Sequence, residues 1–389
     1  MTPGARVQAA IEILDAILGG APAEKALTGW ARKSRFAGSK DRAAVRDHVY
    51  DALRKRRSAA ACGGALTGRA LMLGLMRLDG GDPATRFDGA GHAPEPLTPG
   101  EGGIAPSDLS PGELADLPDW VQDRFHTDLG PEATAVMLTL RDRAPVFLRV
   151  NLLRGDRDAA IAALADDGIG AEAHPHVATA LRVTDGARRL RASHAFETGL
   201  VELQDASSQA AVAALPSVDG ARVLDFCAGG GGKALALAAA GAAEVVAHDI
   251  EARRMSDLPN RAARAGAQIE VRTGISPETD GTFDLVLIDA PCSGSGTWRR
   301  DPEGKWRLTP AALDDLVALQ SRILRDAADF VAPGGTLAYA TCSIFEAENR
   351  SVIEACVAER RELDLVSLRR WLPDEWGDGF HLGIMRRAL

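Results

Sequence analysis

From Arg6 to about Leu78 apolar residues recur at helical spacing, as in Val7, Ile11, Leu14 and Leu18, and Gly/Ser breaks divide the stretch into several helices. Residues 79–112 lose that period. They are rich in Gly, Pro and Asp, which reads as a flexible linker or irregular loop. Pro118-Asp119-Trp120 opens another helical piece, and from Pro145 the pattern becomes strand, helix, strand: Val146 to Val150, Asp156 to Asp167, Ala180 to Thr184. Such a module either binds RNA or braces the domain C-terminal to it. Beyond Phe196 to Gln209, short apolar runs alternate with helical ones. The runs are Val223-Leu224, Val245 to Ala247, Ile269 to Arg272, Leu285 to Ile288, Leu337 to Ala340 and Phe380 to Met385. Helical spacing covers Glu251 to Ala265, Pro310 to Val331 and Phe345 to Glu359. That alternation predicts an α/β doubly wound sheet with a ligand at the C-terminal ends of its strands. The expected division is 1–78 helical, 79–112 linker, 113–200 α+β, and 201–389 the αβ domain.

Charge changes the picture of the N-terminus. The net charge of −9 argues against a nucleic-acid partner as a sum, yet residues 1–60 hold 12 Lys/Arg against 6 Asp/Glu, while residues 79–128 hold 11 Asp/Glu against only Arg86 and Arg124. Cations cluster at Arg32-Lys33-Ser34-Arg35, Lys40, Arg42 and Arg54-Lys55-Arg56-Arg57, either a solvated face or a surface for RNA phosphates. No stretch approaches the ~18 apolar residues of a membrane span, and the first twenty residues alternate charged and apolar positions. A cytoplasmic protein without a membrane partner is expected. The five cysteines are odd in number and widely spaced, which argues for free thiols over a disulfide framework or zinc site. His174 and His176, without a nearby Cys/Asp cluster, read as solvent-exposed rather than as metal ligands.

Three stretches carry candidate chemistry. In Asp225-Phe226-Cys227-Ala228-Gly229-Gly230-Gly231-Gly232-Lys233 a strand turns into a helix through glycines that let backbone amides approach a ligand, and Asp249 ends the next strand where a carboxylate can accept ribose hydroxyls. Asp225 is expected to steady the turn and Cys227 to pack. The apolar run Phe283 to Ile288 delivers Asp289 and then Pro291-Cys292 to its C-terminal end, and Gly334 to Ala340 delivers Thr341-Cys342 in the same way. A lone strand-end cysteine is usually a small buried hydrophobe, but two at equivalent places suggest a shared task.

These motifs resemble those of the Nol/Nop/Sun family of RNA 5-methylcytosine methyltransferases, especially its bacterial Sun/Fmu type acting on ribosomal RNA. The resemblance runs through Leu224 to Lys233, Asp289 to Gly296, Trp298 to Arg307, Thr341 to Asn349 and Asp378-Gly379-Phe380. It implies a Rossmann-like class I methyltransferase domain, a NusB-like helical N-terminal RNA-binding domain, S-adenosyl-L-methionine as cofactor and RNA, in the first place ribosomal, as substrate to a monomeric enzyme. Carried over residue by residue, it makes Cys342 the nucleophile that adds to cytosine C6, and Cys292 the thiol that assists release. Asp289 meets the N3/N4 edge of the base, with Lys233 orienting it. The cofactor set comprises Cys227, Ala228, Gly229 to Gly232, Lys233, Asp249 and Asp289. The loop Trp298 to Arg307, where indoles alternate with cations, is expected either to stack RNA bases or to serve as a surface anchor with buried tryptophans. Two positions depart from the family's pattern: Gly230 stands where proline is common, and Gly274 where an aspartate usually meets the adenine amine. A non-catalytic RNA-binding or assembly protein is the rival reading. A nicotinamide dehydrogenase lacks its glycine fingerprint and leaves the thiols without a role.

Overall fold

The amphipathic N-terminal sequence becomes five helices: α1 (Pro3–Leu18), α2 (Ala23–Lys33), α3 (Ser39–Arg54), α4 (Arg56–Gly63) and α5 (Gly68–Leu78). Threonines start two of them, Thr2 accepting from the Ala5 amide and Thr67 from that of Ala70. In the computed structural model, which describes residues 1–389, these helices belong to a unit formed by Met1–Arg143 and Trp298–Arg307; the second unit comprises Ala144–Thr297 and Leu308–Leu389. The apolar stripes of α1, α3 and α5 meet through Leu14, Val45, Val49, Leu71 and Met72, all fully buried.

Residues 79–112, expected as a flexible linker or irregular loop, are irregular backbone fastened to these helices. Phe87 enters their core, Arg69 lies over its ring and pairs with Glu101, and the Gly103 and Ile104 amides donate to the carbonyls of Cys62 and Ala61 at 3.0 and 3.1 Å. Irregular backbone satisfied by such individual bonds leaves no period in the sequence. Asp116, fully buried, accepts from the Arg57 and Ser58 amides at 2.8 and 2.9 Å and from Arg141 at 2.7 Å, and so caps α4.

The segment Trp298–Arg307 departs from the base-stacking expectation and follows the anchor reading. Trp298 is 1% exposed and stacks on Phe125, the Trp306 indole donates to the Leu53 carbonyl at 2.7 Å, and Lys305 donates to the Arg54 carbonyl at 2.7 Å. Burial pulls the Lys305 ammonium down to about 7, against the attraction of Asp116. Both indoles and this lysine are spent on packing.

In the second unit, β1 (Val146–Val150), β2 (Ala171–Ala173), β3 (Ala180–Val183) and β4 (Val201–Leu203) form an antiparallel sheet ordered β2-β3-β1-β4, covered by the helix Arg157–Asp166. The larger sheet contains β5 (Arg222–Asp225), β6 (Glu244–His248), β7 (Glu270–Arg272), β8 (Phe283–Asp289), β9 (Val331–Thr341), β10 (Leu363–Trp371) and β11 (Phe380–Arg387). Its order is β10-β11-β9-β8-β5-β6-β7, parallel from β9 to β7 and antiparallel through β11 and β10. Alternate residues feed opposite faces. Val223, Ala247, Leu285, Leu287 and Ala338 join Leu235 and Leu258 on one side, while Leu224, Val246, Val286, Ile288 and Tyr339 join Leu324 and Ile353 on the other. Burial on both faces explains the near-continuous apolar run of β8. The expected helix Glu251 to Ala265 is broken into a short 3₁₀ turn and the helix Leu258–Ala265, with Pro259 in the helix's first turn. No single helix is long and apolar enough to cross a membrane.

Candidate active site

Five structural segments converge at the C-terminal ends of the parallel strands. The first is the turn after β5. Gly229 and Gly231 have φ of +51° and +78°, and a Cβ on Gly231 would stand 2.1 Å from Leu258 Cδ1, so that position tolerates no side chain. The turn leads into the helix Gly232–Ala239, which carries Lys233 in its first turn. Asp249, one residue past β6 and 2% exposed, accepts from the Gly229 amide at 3.0 Å and from the Glu251 amide at 2.9 Å. Oδ2 also lies 3.5 Å from the Arg254 guanidinium, and Oδ1 retains a lone pair for a further donor.

The turn is also held from behind by the small sheet. Arg149 of β1, 4% exposed, donates from one nitrogen to Gln204 at 2.6 Å and to the Gly232 carbonyl at 2.5 Å. Glu202 of β4 pairs with Arg261 and Arg264, and Arg261 in turn donates to the Gly230 carbonyl. Of the two roles open to the α+β module, bracing has these contacts behind it. Gly230 exposes its carbonyl to that arginine and needs no left-handed backbone.

Asp225 behaves differently from its expected role. It is fully buried at the end of β5, and neither carboxylate oxygen has a hydrogen-bond partner; the Ala234 amide faces it without completing a bond. Burial, followed by the nearby charge of Asp289, pushes its carboxyl up to about 7 against the pull of Lys233. A buried, unpartnered acid beside a glycine turn is suited to a cationic ligand group. Ile250, next to Asp249 and 89% exposed, offers an apolar surface that sequence reasoning passed over; an apolar residue directly after a strand-end aspartate was its only signal.

The third and fourth segments bring the thiols. Asp289 ends β8 and accepts from the Lys233 ammonium at 2.6 Å, and that ammonium lies 4.9 Å from the centre of the Phe380 ring at the start of β11. Cys292 follows after Ala290-Pro291. Cys342 directly follows β9, whose Ala340 is in register with Asp289, and its sulfur lies 3.4 Å from that of Cys292. Both thiols are free and partly exposed. The Cys292 contact holds the Cys342 thiol below its ordinary range, aided by Lys233 and Thr297 against burial and Asp289. Cys292 moves the other way, raised by the same contact, by burial and by the charge of Glu348. The fifth segment closes the floor: the Gly379 amide donates to the Gly296 carbonyl at 2.9 Å, and a Cβ on Gly296 would meet the Gly379 carbonyl oxygen at 2.5 Å.

The structure thus gathers Gly229 to Gly232, Lys233, Asp249, Asp289, Cys292 and Cys342 at one end of the sheet. Cys227 is only partly exposed; burial raises its thiol above the ordinary range, and it packs with Phe226 against the second core. His174 corrects an expectation of exposure. It is 7% exposed, its Nδ1 accepts from the His176 and Val177 amides at 3.0 Å, and its Nε2 meets the Trp376 carbonyl at 3.0 Å, which makes it a loop-locking histidine. A Cβ on Gly274 would find open space.

A glycine turn after the central strand, an acid ending the next strand and an antiparallel C-terminal hairpin define the Rossmann-like class I methyltransferases. Two solved structures share the fold: that of PH0851, at 24% identity with a TM-score of 0.78 over 100% of this chain and 99% of that one, and that of a methyltransferase homolog protein from Pyrococcus horikoshii, at 24% identity with a TM-score of 0.63 over 73% and 100%. Residues 212–382 match the model of the 16S rRNA methyltransferase RsmB/F, and residues 117–188 match that of its ferredoxin-like domain. Ribosomal RNA small subunit methyltransferase B of Cronobacter sakazakii is 37% identical over 254 residues, 64% of this chain and 59% of that protein. The chain spans 59% and 65% of the length of the first two curated relatives it matches.

Proposed function

We propose that the protein is an S-adenosyl-L-methionine-dependent RNA cytosine-C5 methyltransferase acting on small-subunit ribosomal RNA. The observation that carries this reading is the pair of sulfurs at 3.4 Å beside the Lys233–Asp289 ion pair. Cytosine C5 is a poor nucleophile until a thiolate adds to C6, and one thiol to add and another to help undo the addition is what that chemistry requires. The residues fit the cofactor. Asp225 is an unpartnered buried acid suited to its ammonium or sulfonium, Asp249 to its ribose hydroxyls, Ile250 to its base, and the turn from Gly229 to Gly232 brings backbone close. When bound, S-adenosyl-L-methionine supplies the methyl group that C5 accepts.

The protein's own residues do the rest. Cys342, with the lower-lying thiol of the two, loses its proton and forms the S–C6 bond, which places negative charge on the ring. Asp289, oriented by Lys233, meets the N3/N4 edge and, by donating a proton to N3, takes up the charge that addition places on the ring. After C5 is methylated a solvent base takes the C5 proton, the electrons of that C–H bond re-form C5=C6, and the S–C6 bond breaks with its electron pair returning to Cys342. Cys292, held as a thiol 3.4 Å away, protonates that departing sulfur. The target base has to leave its stack to reach these groups.

The test is S-adenosyl-L-methionine-dependent tritium release from unmodified small-subunit ribosomal RNA labelled at cytosine C5. Release, absent in Cys342→Ala, is the expected result. Absence of release from naked RNA and from assembling subunits alike, in protein shown to bind the cofactor, overturns C5 methylation and leaves a binding protein with a methyltransferase fold.

A further inference from the structure

Beneath the two cysteine loops lies a carboxylate that the chemistry above does not use. Glu348 is fully buried. One oxygen accepts from the Ser293 amide at 2.8 Å and from Gln320 at 2.9 Å, and the other accepts from the hydroxyls of Ser293 and Ser343. All four donors are neutral, and no cation pairs with it. Ser293 directly follows Cys292 and Ser343 directly follows Cys342, so a single side chain binds the residue after each thiol. Gln320, itself fully buried on the helix Pro310–Ala328, also donates to the Pro291 carbonyl at 2.9 Å. The loops are tied further by Ser295, whose hydroxyl meets that of Ser343 at 3.1 Å and accepts from the Ile344 amide at 2.7 Å.

An unpaired buried carboxylate is expensive even when every lone pair is filled, and a neutral side chain would cost less if only packing were at stake. We propose that Glu348 is a positioning residue that, by bonding the residue after each thiol, holds both cysteine loops in one frame and makes the two thiols unequally reactive. The proposal deepens the methyltransferase reading and rests on it for what the thiols are used for.

The groups around each sulfur agree with that division. The Cys292 thiol touches Cys342 and is raised by that contact, by burial and by the charge of Glu348. Cys342 faces Cys292, Asp289, Thr297 and the Lys233 ammonium, the one cation of the set. His381, in register with Thr341 on the neighbouring strand, is held neutral by burial, which pulls it down to about 4, and adds no charge. The carboxylate therefore acts on one thiol and the ammonium on the other.

The experiment is the pH dependence of iodoacetamide alkylation of the full chain, without RNA or cofactor, with each cysteine followed by peptide mass mapping. In the unaltered protein Cys342 is alkylated first. In Glu348→Gln, folded by circular dichroism, Cys292 alkylation at pH 8 rises about tenfold with little change at Cys342, and Glu348→Asp restores the slow Cys292. Unchanged Cys292 alkylation in folded Glu348→Gln overturns the charge effect. Should Glu348→Gln not fold, Ser343→Ala cuts the Cys342 loop from Glu348 and from Ser293 and Ser295 of the Cys292 loop, and the lead of Cys342 over Cys292 is expected to narrow severalfold; an unaltered ratio overturns the shared frame. Because neither measurement involves methyl transfer, failure of the enzymatic reading would leave these outcomes intact and separately legible.

Discussion

Cys292 and Cys342 stand fifty positions apart in the chain and 3.4 Å apart at their sulfurs. That distance is well beyond the ~2.05 Å of a disulfide and close enough for one thiol to hydrogen-bond the other. Loss of either sulfur therefore has a distinct consequence. Cys342→Ala is expected to abolish turnover and form no adduct, whereas Cys292→Ala adds to the base, stalls at release and leaves a covalent protein–RNA complex stable to denaturing electrophoresis. An adduct in the Cys342 variant would reverse the two assignments.

In the proposed mechanism the 2.6 Å bond between Lys233 and Asp289 fixes the carboxylate against the base. Removing a preorganised group of this kind typically costs about 10²–10³ in rate. Lys233→Met and Asp289→Asn are each expected to lose about that much in single-turnover methylation while remaining folded. A loss confined to KM would place the pair in binding alone.

Asp225 sets function against stability. Its folded carboxyl keeps a proton up to about pH 7, whereas the unfolded one releases it near 3.8, so the ligand-free fold weakens as pH rises between these values and stays weakened above them. The penalty above pH 7 is on the order of 4 kcal/mol. Asp225→Asn is expected to melt higher than the parent at pH 8, to lose that advantage by pH 4, and to bind S-adenosyl-L-methionine more weakly. Equal melting of the two proteins at pH 8 would show that the acid is satisfied after all.

Trp298 gives the clearest test of the anchor reading. With its ring 1% exposed and stacked on Phe125, Trp298→Ala is expected to cost about 3–5 kcal/mol in denaturant unfolding. RNA affinity measured well below the melting temperature should stay near that of the parent. A large loss of affinity with unchanged stability would return this indole to base stacking.

Most of the sheet is legible in the sequence because it is buried on both faces: β5, β6, β8 and β9 are apolar runs, each ending at or one residue before an Asp or Cys. The strand β10 is not, since its outer residues include Asp364, Arg369 and Arg370, and a register shift between Leu365 and Ser367 breaks the alternation. β2 and β4, three residues each, are too short to show a period. In the site, the thiols, Lys233, Asp289 and Asp249 announce themselves by standing at strand ends or in the glycine turn. Arg149, Glu202 and Glu348 do not, because each acts across long sequence separations on another residue's backbone or side chain. The indoles of Trp298 and Trp306 mislead for a related reason: alternation of aromatics with cations looks the same whether the partner is RNA or the α3 carbonyls.

The chain passes between its two units at three peptide links, Arg143–Ala144, Thr297–Trp298 and Arg307–Leu308, because the ten residues Trp298–Arg307 fold with the N-terminal helices. A cut at Thr297–Trp298 or at Arg307–Leu308 leaves the units joined covalently through Arg143–Ala144, whereas a cut at Arg143–Ala144 leaves Met1–Arg143 held only by its packing on Trp298–Arg307. Excising the second unit as a fragment starting at Ala144 would strand two indoles and a buried lysine in water, so the two units are not separable by trimming one end.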